Sequence, residues 1–260
     1  MKTTDHGKFG EVWIPSGFQD LMEFVAGTVS EPSAVRMWRG QAKSEWLLHS
    51  SAQRKLSAER NPVKENILSA YETNLLKQAT HRGYRYVDGR ELSDFELLAR
   101  LQHHGAATRL IDTTRNFLVA LYFACCSEGD SDGMVFGIHS DHLGGYEGLL
   151  LDGDYKTIVA GAGLHSHPQT WEPPVVSKRV AAQSSQFVYS AIVDQLHGSL
   201  AIDDCARGLL AIQIEASLKA GFMTILERTF DVRLLTLFPD IDGFGLTFGQ
   251  DRDQYFSQRW

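Results

Sequence analysis

Apolar residues recur at the three- and four-residue spacing of one helix face in several stretches of the chain. The pattern predicts helices over residues 18–28, 62–82, 93–103, 116–126 and 216–228. Ser93, followed three residues later by Glu96, has the pattern of a capping box at the start of the third of these helices. The fourth stretch is too apolar for a surface position, so we expect a buried helix there.

Shorter runs of continuous or alternating apolar residues predict strands. They cover residues 35–38, 108–112, 133–139, 175–176, 187–189, 209–215 and 233–238, and 244–248 fits a helical turn or a strand. Residues 140–172 are rich in Gly, Asp and His and have weak periodicity, so we expect an irregular lid or a set of loops. Without a repeat or a linker, this mixed order of elements predicts an α+β fold, a single mixed domain with a helical N-terminal part.

The composition narrows the class of protein. The chain has 260 residues, 43% of them hydrophobic and 22% charged, which is ordinary for a globular domain. A net charge of −7 argues against bulk binding of nucleic acid. Three cysteines form no disulfide framework, the first residues are polar rather than those of a signal peptide, and no apolar run approaches the roughly 20 residues of a membrane span. We therefore expect a cytoplasmic protein with no membrane partner.

Three polar motifs follow predicted apolar elements. The densest runs from Gln102 to Thr114, and polar groups so close to buried structure must satisfy one another or a ligand. Arg39 and Gly40 end the first predicted strand after residue 35, and residues 179–187 again combine arginine and glutamine beside apolar positions. We expect the three motifs to converge on one site.

In their order along the chain these motifs resemble the FRG domain, which is named for its Phe-Arg-Gly motif. The resemblance is carried by Trp38-Arg39-Gly40-Gln41, Trp46-Leu47-Leu48, Arg54, Gln102-His103-His104-Gly105, residues 108–114, 119–124 and 179–187, and Phe238-Pro239-Asp240-Ile241-Asp242-Gly243. It spans roughly residues 15–250 and implies that 1–260 is a single FRG domain. His104 and Thr113 stand where the family usually has aromatic residues.

The FRG family occurs in bacterial and phage contexts, and its layout resembles a distant ADP-ribosyltransferase. In those enzymes an early strand ends in Arg, a Ser-Thr-Ser-like strand leads into a helix, and a glutamate lies on a later strand. Arg39, Thr113-Thr114 before residues 119–124, and Gln183 follow that order here. The resemblance implies a central ADP-ribosyltransferase-like split β-sheet, NAD as the substrate, and an ADP-ribosyltransferase-like or NAD-cleaving effector in anti-phage defence. The implied partners are a nucleotide-type small molecule and a protein acceptor or phage protein.

Four residues are candidates for catalysis. The planar guanidinium of Arg39 suits a phosphate or a nicotinamide ribose, and Gly40 would let a ligand approach the backbone. His103 is a candidate general base or donor to ribose hydroxyls. Gln183 occupies the place of the glutamate and could hold a ribose hydroxyl without supplying charge. Asp112 is then the nearest carboxylate to stabilise the cationic ribose of glycosidic cleavage.

The candidate ligand-binding residues are Gly40, Gln41, Gln102, Thr108, Arg109 and Thr114. Asp112 would orient His103 or Arg39, and Arg109 would face an anionic ligand. The alternative for Arg109 is a buried ion pair with Asp112, three residues away. Gln213 and Glu215 imitate a transferase signature but are expected to lie on an exposed strand face, and no metal site is expected.

A second class of function stays open. Without the glutamate, the domain could be a non-catalytic sensor that binds a nucleotide or a phage protein. Residues 140–172 would then be its recognition loop.

Overall fold

A computed structural model describes residues 1–29, 34–59, 62–146, 148–174, 177–193, 197–198, 200–202 and 208–249. Its strands are β1 (Lys2–Asp5), β2 (Glu11–Ile14), β3 (Val35–Gln41), β4 (Tyr86–Val87), β5 (Arg90–Glu91), β6 (Ile111–Thr114), β7 (Gly133–His139), β8 (Gln169–Trp171), β9 (Ser185–Tyr189) and β10 (Leu209–Ile214). Its helices are α1 (Phe18–Gly27), α2 (Ser51–Ser57), α3 (Glu65–His81), α4 (Asp94–His103), α5 (Phe117–Cys125), α6 (Tyr155–Ala162), α7 (Lys178–Ala182), α8 (Ala216–Phe230), α9 (Leu234–Leu237) and α10 (Ile241–Gly249).

Eight of these strands form one mixed sheet in the order β1-β2-β10-β7-β3-β6-β9-β8, and β4 and β5 form a separate hairpin. Neighbours in the large sheet are antiparallel except β2 and β10. Strands β3 and β6 are joined at a single register position, where Trp38 is opposite Thr114. The large sheet therefore has a narrow junction between its first five strands and its last three.

Alternating side chains of the central strands supply two cores. On β7, Val135 packs with α5 and α8, while Met134 and Phe136 pack on the other face with Val12 and Val188. A third cluster joins α3, α4 and α6 to the far end of the sheet around Phe95. These layers confirm the mixed α+β class, and the ADP-ribosyltransferase-like division of the sheet stays a prediction.

Helix α5 lies directly against the sheet because two glycines leave room for its backbone. A Cβ atom on Gly40 would be 1.8 Å from the carbonyl oxygen of Ala120, and one on Gly133 would be 2.4 Å from that of Ala124. At these two positions the helix backbone therefore packs directly on β3 and β7, with no side chain between them. The nearly uniform apolar sequence of α5 fits this position, since seven of its nine residues are buried.

Most predicted elements are present. The five predicted helices correspond to α1, α3, α4, α5 and α8, and the Ser93–Glu96 capping box is formed. Four predicted strands correspond to β3, β7, β9 and β10. The ambiguous segment 244–248 is helical, within α10. The predicted strand at residues 175–176 lies outside the described residues.

The strand predicted at 108–112 begins later, at Ile111. Side chains take the backbone N–H groups that a strand would use, because Thr108 N donates to Ser51 Oγ (3.0 Å) and Arg109 N donates to Glu72 Oε1 (2.5 Å). Pairing with β9 starts only where Ile111 faces Val188.

Two predictions were wrong. Residues 233–238 hold the short helix α9 instead of a strand, because the Thr236 hydroxyl bonds both Asp231 O (2.6 Å) and Arg233 N (3.1 Å) and closes a turn. Residues 140–172 are not wholly irregular, since they contain α6, capped by the Asp154 side chain, and β8. The hairpin of β1 and β2 and the helix α2 were not predicted.

A buried ionic network joins α3, α6 and the segment before β6. Arg109 is 2% exposed, and its Nε donates to Glu72 Oε2 at 2.7 Å. Its Nη2 donates to Glu65 Oε1 (2.8 Å) and to the Tyr155 hydroxyl. Burial opposes the charge of Arg109, but Glu72, Tyr155 and Glu65 outweigh it and raise the pKa. The guanidinium of Arg109 therefore has its hydrogen-bond partners within the protein, and the residue is part of the core.

We expect Glu72→Gln to lower the free energy of unfolding by about 3–5 kcal/mol, because Arg109 would keep a buried charge without its main carboxylate. Urea denaturation measures the loss. Lys43→Ala is the control, since its ion pair with Glu128 (3.1 Å) is partly exposed and should contribute only about 0–1 kcal/mol. Equal losses in the two variants would contradict the role assigned to the network.

We expect Gly40→Ala to destabilise the fold by about 1–3 kcal/mol or more, because the new methyl group would overlap the Ala120 carbonyl. Gly221→Ala is the matched control in α8, where nothing lies within 4 Å of an added Cβ. It should stabilise the protein by about 1 kcal/mol, the ordinary helix preference for alanine. Thermal unfolding of both variants tests the pair, and a neutral Gly40→Ala would rule out the close approach of α5.

Candidate functional site

A cavity of about 310 Å³ opens at the junction of β3 and β6. Strands β3, β6 and β9 supply one side of its lining, and α4, α5 and α7 supply the rest, with Phe238 after α9. The predicted site residues that line it are Arg39, Gly40, Gln102, His103, Asp112, Thr114 and Gln183. The three motifs that are far apart in sequence therefore do converge. Gln41, Thr108 and Arg109 are not among the lining residues.

The Arg39 side chain extends into the junction from β3, two residues before the strand ends. Its Nη1 donates to the backbone oxygen of Asp112 at 2.6 Å, across the gap where β3 and β6 cease to pair. Its Nε is buried and has no hydrogen-bond partner among the described residues. Burial lowers the pKa of Arg39, the Asp112 carboxylate opposes that shift, and Arg54 adds to it. A partly buried guanidinium with an unused donor is suited to an anionic group.

A short chain of hydrogen bonds orients the Asp112 carboxylate. The Thr108 hydroxyl donates to Gln102 Oε1, which fixes the direction of the amide. Gln102 Nε2 then donates to Asp112 Oδ1 at 2.8 Å. Thr108 thus acts behind the cavity wall and not as a ligand contact, which corrects its predicted role.

His103 lies at the end of α4 beside a carboxylate that is not among the predicted site residues. Asp240 Oδ2 is 3.6 Å from His103 Nε2, so Asp240 and not Asp112 is the acidic neighbour of this ring. Burial, Arg179 and His104 lower the pKa of His103, and Asp240 and Asp242 oppose them. The neutral imidazole is therefore favoured at neutral pH.

Asp240 is held in place by Arg179, whose Nε and Nη2 donate to its two oxygens at 3.0 and 2.9 Å. The Arg179 guanidinium also lies 4.6 Å from the centre of the Phe238 ring. Burial opposes ionisation of Asp240, but the hydrogen bonds from Arg179 and from Gly243 N lower its pKa overall. The segment 238–243 was noted as a motif, and that motif is the signal that could have identified Asp240.

Both the side chain and the backbone of Gln183 are hydrogen-bonded within the fold. Its side-chain Nε2 donates to the backbone carbonyl of Leu237 at 3.0 Å, and its backbone carbonyl accepts a hydrogen bond from the Thr114 hydroxyl at 2.7 Å. The residue that follows, Ser184, has the left-handed backbone conformation with φ 47°. Gln183 and Thr114 therefore tie β6 and α9 together at the cavity wall.

Three further expectations are corrected. The space that a side chain at position 40 would occupy is filled by the Ala120 backbone, so the missing side chain of Gly40 makes room for α5, although the residue also lines the cavity. Arg109 pairs with Glu72 and Glu65, so neither an anionic ligand nor the proposed Asp112 ion pair explains it.

Two other candidates lie outside the cavity lining. Gln41 is buried, and its Nε2 is 3.5 Å from the carbonyl of Trp46. On β10, Gln213 donates to Asp132 Oδ2 at 2.7 Å, and the strand ends before Glu215.

None of the helices in the described ranges combines the length and the hydropathy that a membrane span requires. No curated protein and no solved structure matches the chain. Residues 35–133 match the family model of the FRG domain. The matched segment runs from β3 with its Arg39-Gly40 pair, through α4 and β6, to the start of β7. The cavity-lining Arg39, His103 and Asp112 all lie within the segment that is similar to the FRG domain.

Proposed function

We propose that the cavity binds NAD or a related nucleotide, and that the protein acts on it as an ADP-ribosyltransferase-like or NAD-cleaving effector. The proposal rests on the Arg39 guanidinium, whose buried Nε has no hydrogen-bond partner in the described part of the chain and lies at a junction lined by Gln102, His103 and Asp112. An anion placed there would receive a charge-assisted hydrogen bond in partly desolvated surroundings.

The size and lining of the cavity favour one half of a dinucleotide. A volume of about 310 Å³ is at the low end of the roughly 300–1,000 Å³ of ligand pockets, so the rest of NAD would extend towards solvent. Val119, Phe123 and Phe238 offer apolar surface to a flat ring, while Gln102 and His103 face it with groups that hydrogen-bond to ribose hydroxyls.

The reaction would break the bond between the nicotinamide nitrogen and C1′ of the ribose. Nicotinamide leaves as a neutral molecule with the bonding electron pair, and positive charge develops on the ribose. Asp112, oriented by Gln102, is the sole acidic residue among the described residues that line the cavity and would stabilise that charge. Water or an acceptor side chain then adds at C1′, and its proton passes to the Asp112 carboxylate.

The narrow junction of the sheet is compatible with an ADP-ribosyltransferase-like layout. Strands β3 and β6 pair only at Trp38 and Thr114, and Arg39 takes over the contact to Asp112 where the strands separate. The family resemblance implies a strand that ends in arginine beside a divided sheet, and here Arg39 lies two residues before β3 ends at Gln41. The role in anti-phage defence rests on that resemblance alone.

A second function, a non-catalytic nucleotide sensor, is favoured by Gln183. Its amide is bonded to Leu237 instead of facing a ribose, and it brings no charge to the site. The recognition surface of such a sensor would not be all of residues 140–172, since Tyr155 is part of the buried Arg109 network. Exposed apolar residues of that segment, Tyr146, Leu150 and Leu164, are the candidates for contact with a protein partner.

We expect purified protein to release nicotinamide from NAD, and Arg39→Ala and Asp112→Asn each to reduce the rate by on the order of 10²–10³-fold, because each removes one charged group at the reacting end. Chromatography of nicotinamide and ADP-ribose measures the reaction. Arg36→Ala is the matched control, an exposed arginine on the same strand outside the cavity lining, and it should keep the wild-type rate.

Calorimetric titration with NAD separates the two functions. Binding that Arg39→Ala weakens, without any release of nicotinamide, would establish the sensor and contradict the enzyme. Absence of both binding and release in the wild-type protein, with cell extract supplied as a source of acceptors, would contradict both.

A further inference from the structure

Two histidines and a carboxylate lie close together beside the cavity, and one of them, His103, lines it. His103 ends α4, His104 follows it, and Asp242 lies in the first turn of α10. One potential ligand atom from each, a ring nitrogen or a carboxylate oxygen, lies within 4.8 Å of the other two. We propose that His103, His104 and Asp242 form a binding site for a divalent transition metal ion, Zn²⁺ being the ion that this ligand set suits best.

The donor types support zinc over the harder cations. Imidazole nitrogen is a preferred ligand of Zn²⁺, and two histidines with one carboxylate are an established ligand set for it, whereas Mg²⁺ and Ca²⁺ prefer oxygen ligands. Three protein ligands leave a fourth position of a tetrahedral site open. Because His103 also lines the cavity, that position would lie at or near the cavity mouth.

A second carboxylate strengthens the assignment. Asp240 Oδ2 lies 3.6 Å from His103 Nε2, and Asp240 is itself fixed by Arg179 and by the backbone N–H of Gly243 at 2.9 Å. Histidines that bind metals usually have such a carboxylate beside the ring, where it sets the ring orientation. The 3.6 Å separation is longer than a hydrogen bond, so Asp240 would become the positioning group behind His103 when an ion bound at Nδ1 leaves the Nε2–H directed at Oδ2.

The charges around the site are mixed. Asp240 and Asp242 supply negative charge, and Arg179 supplies positive charge that is largely compensated by its pair with Asp240. The three ligands come from two elements, since α4 and the residue after it provide both histidines and α10 provides Asp242. A bound ion would consequently fasten α10 to the end of α4.

The proposed metal site does not depend on the proposed function, because metal binding is measured in the absence of nucleotide. The full-length protein, stripped of metal with EDTA, is titrated with Zn²⁺ and, in parallel, with Co²⁺. We expect one ion per chain, the visible absorption of tetrahedral Co²⁺, and a rise in Tm with Zn²⁺, since the ion binds the folded chain preferentially.

His104→Ala should remove the absorption and the rise in Tm, and Asp242→Asn, which removes the charged ligand, should weaken Zn²⁺ binding by more than the roughly 10- to 100-fold that the loss of an outer-shell partner costs. His81→Ala is the matched control, another exposed histidine at the end of a helix, and it should bind as the wild type does. Cys126→Ser should also leave binding unchanged, because Cys126 is an exposed thiol outside the proposed site.

Three outcomes would overturn the proposal. They are absence of a stoichiometric ion in the wild-type protein, undiminished affinity in His104→Ala, and the near-ultraviolet charge-transfer band of a thiolate–Co²⁺ bond. Loss of nicotinamide release in other variants would bear on the proposed function and not on this site. Loss of metal binding with intact nicotinamide release would likewise leave that function standing.

Discussion

The direct contact between the backbone of α5 and the sheet is the constraint on which the rest of the site depends. At Gly40 and Gly133 carbonyl groups of the helix lie directly against the strands, so the helix has little freedom to move away from the sheet or along it. Val119, Ala120 and Phe123 are placed as a cavity wall by that contact. Arg39 immediately precedes the first of these glycines, so the position of its side chain is fixed by the same packing.

The cavity is assembled from distant segments, each anchored by contacts behind its wall. Gln102 is oriented by Thr108, Arg179 by Asp240, and Gln183 by Leu237. Arg39 differs from them, because part of its guanidinium has no partner among the described residues. A site whose walls are satisfied while one buried donor is unused is preorganised for a ligand, and less ordering is then needed when the ligand binds.

Elements could be predicted from the sequence where the interactions that form them join residues within a few positions of one another and leave a recognisable pattern. Helix α4 was predicted with its cap because Ser93 and Glu96 interact within a single turn. The helix α9 was mistaken for a strand because its turn depends on the Thr236 hydroxyl and not on apolar spacing.

The site could be predicted only in part for the same reason. The convergence of the three motifs followed from their composition, but the roles of individual residues did not. From the sequence alone Arg109 is a candidate ligand-binding arginine, but in the structure it pairs with Glu72, 37 residues earlier. Gly40 is likewise predicted to make room for a ligand, but the space of its missing side chain is occupied by the Ala120 carbonyl. Partners so far apart in sequence are fixed by the fold, which no local pattern reports.

The hydrogen bonds of the Tyr155 hydroxyl affect which parts of the domain unfold together. It bonds Glu72 at 2.6 Å and Arg109, so the helix that begins at Tyr155 is fastened to α3 through buried charge. A segment held in this way belongs to the same cooperative unfolding unit as the core and does not fluctuate like a surface loop. Amide hydrogens of α6 should consequently exchange at rates close to those of α3, although the surrounding sequence has the composition of a lid.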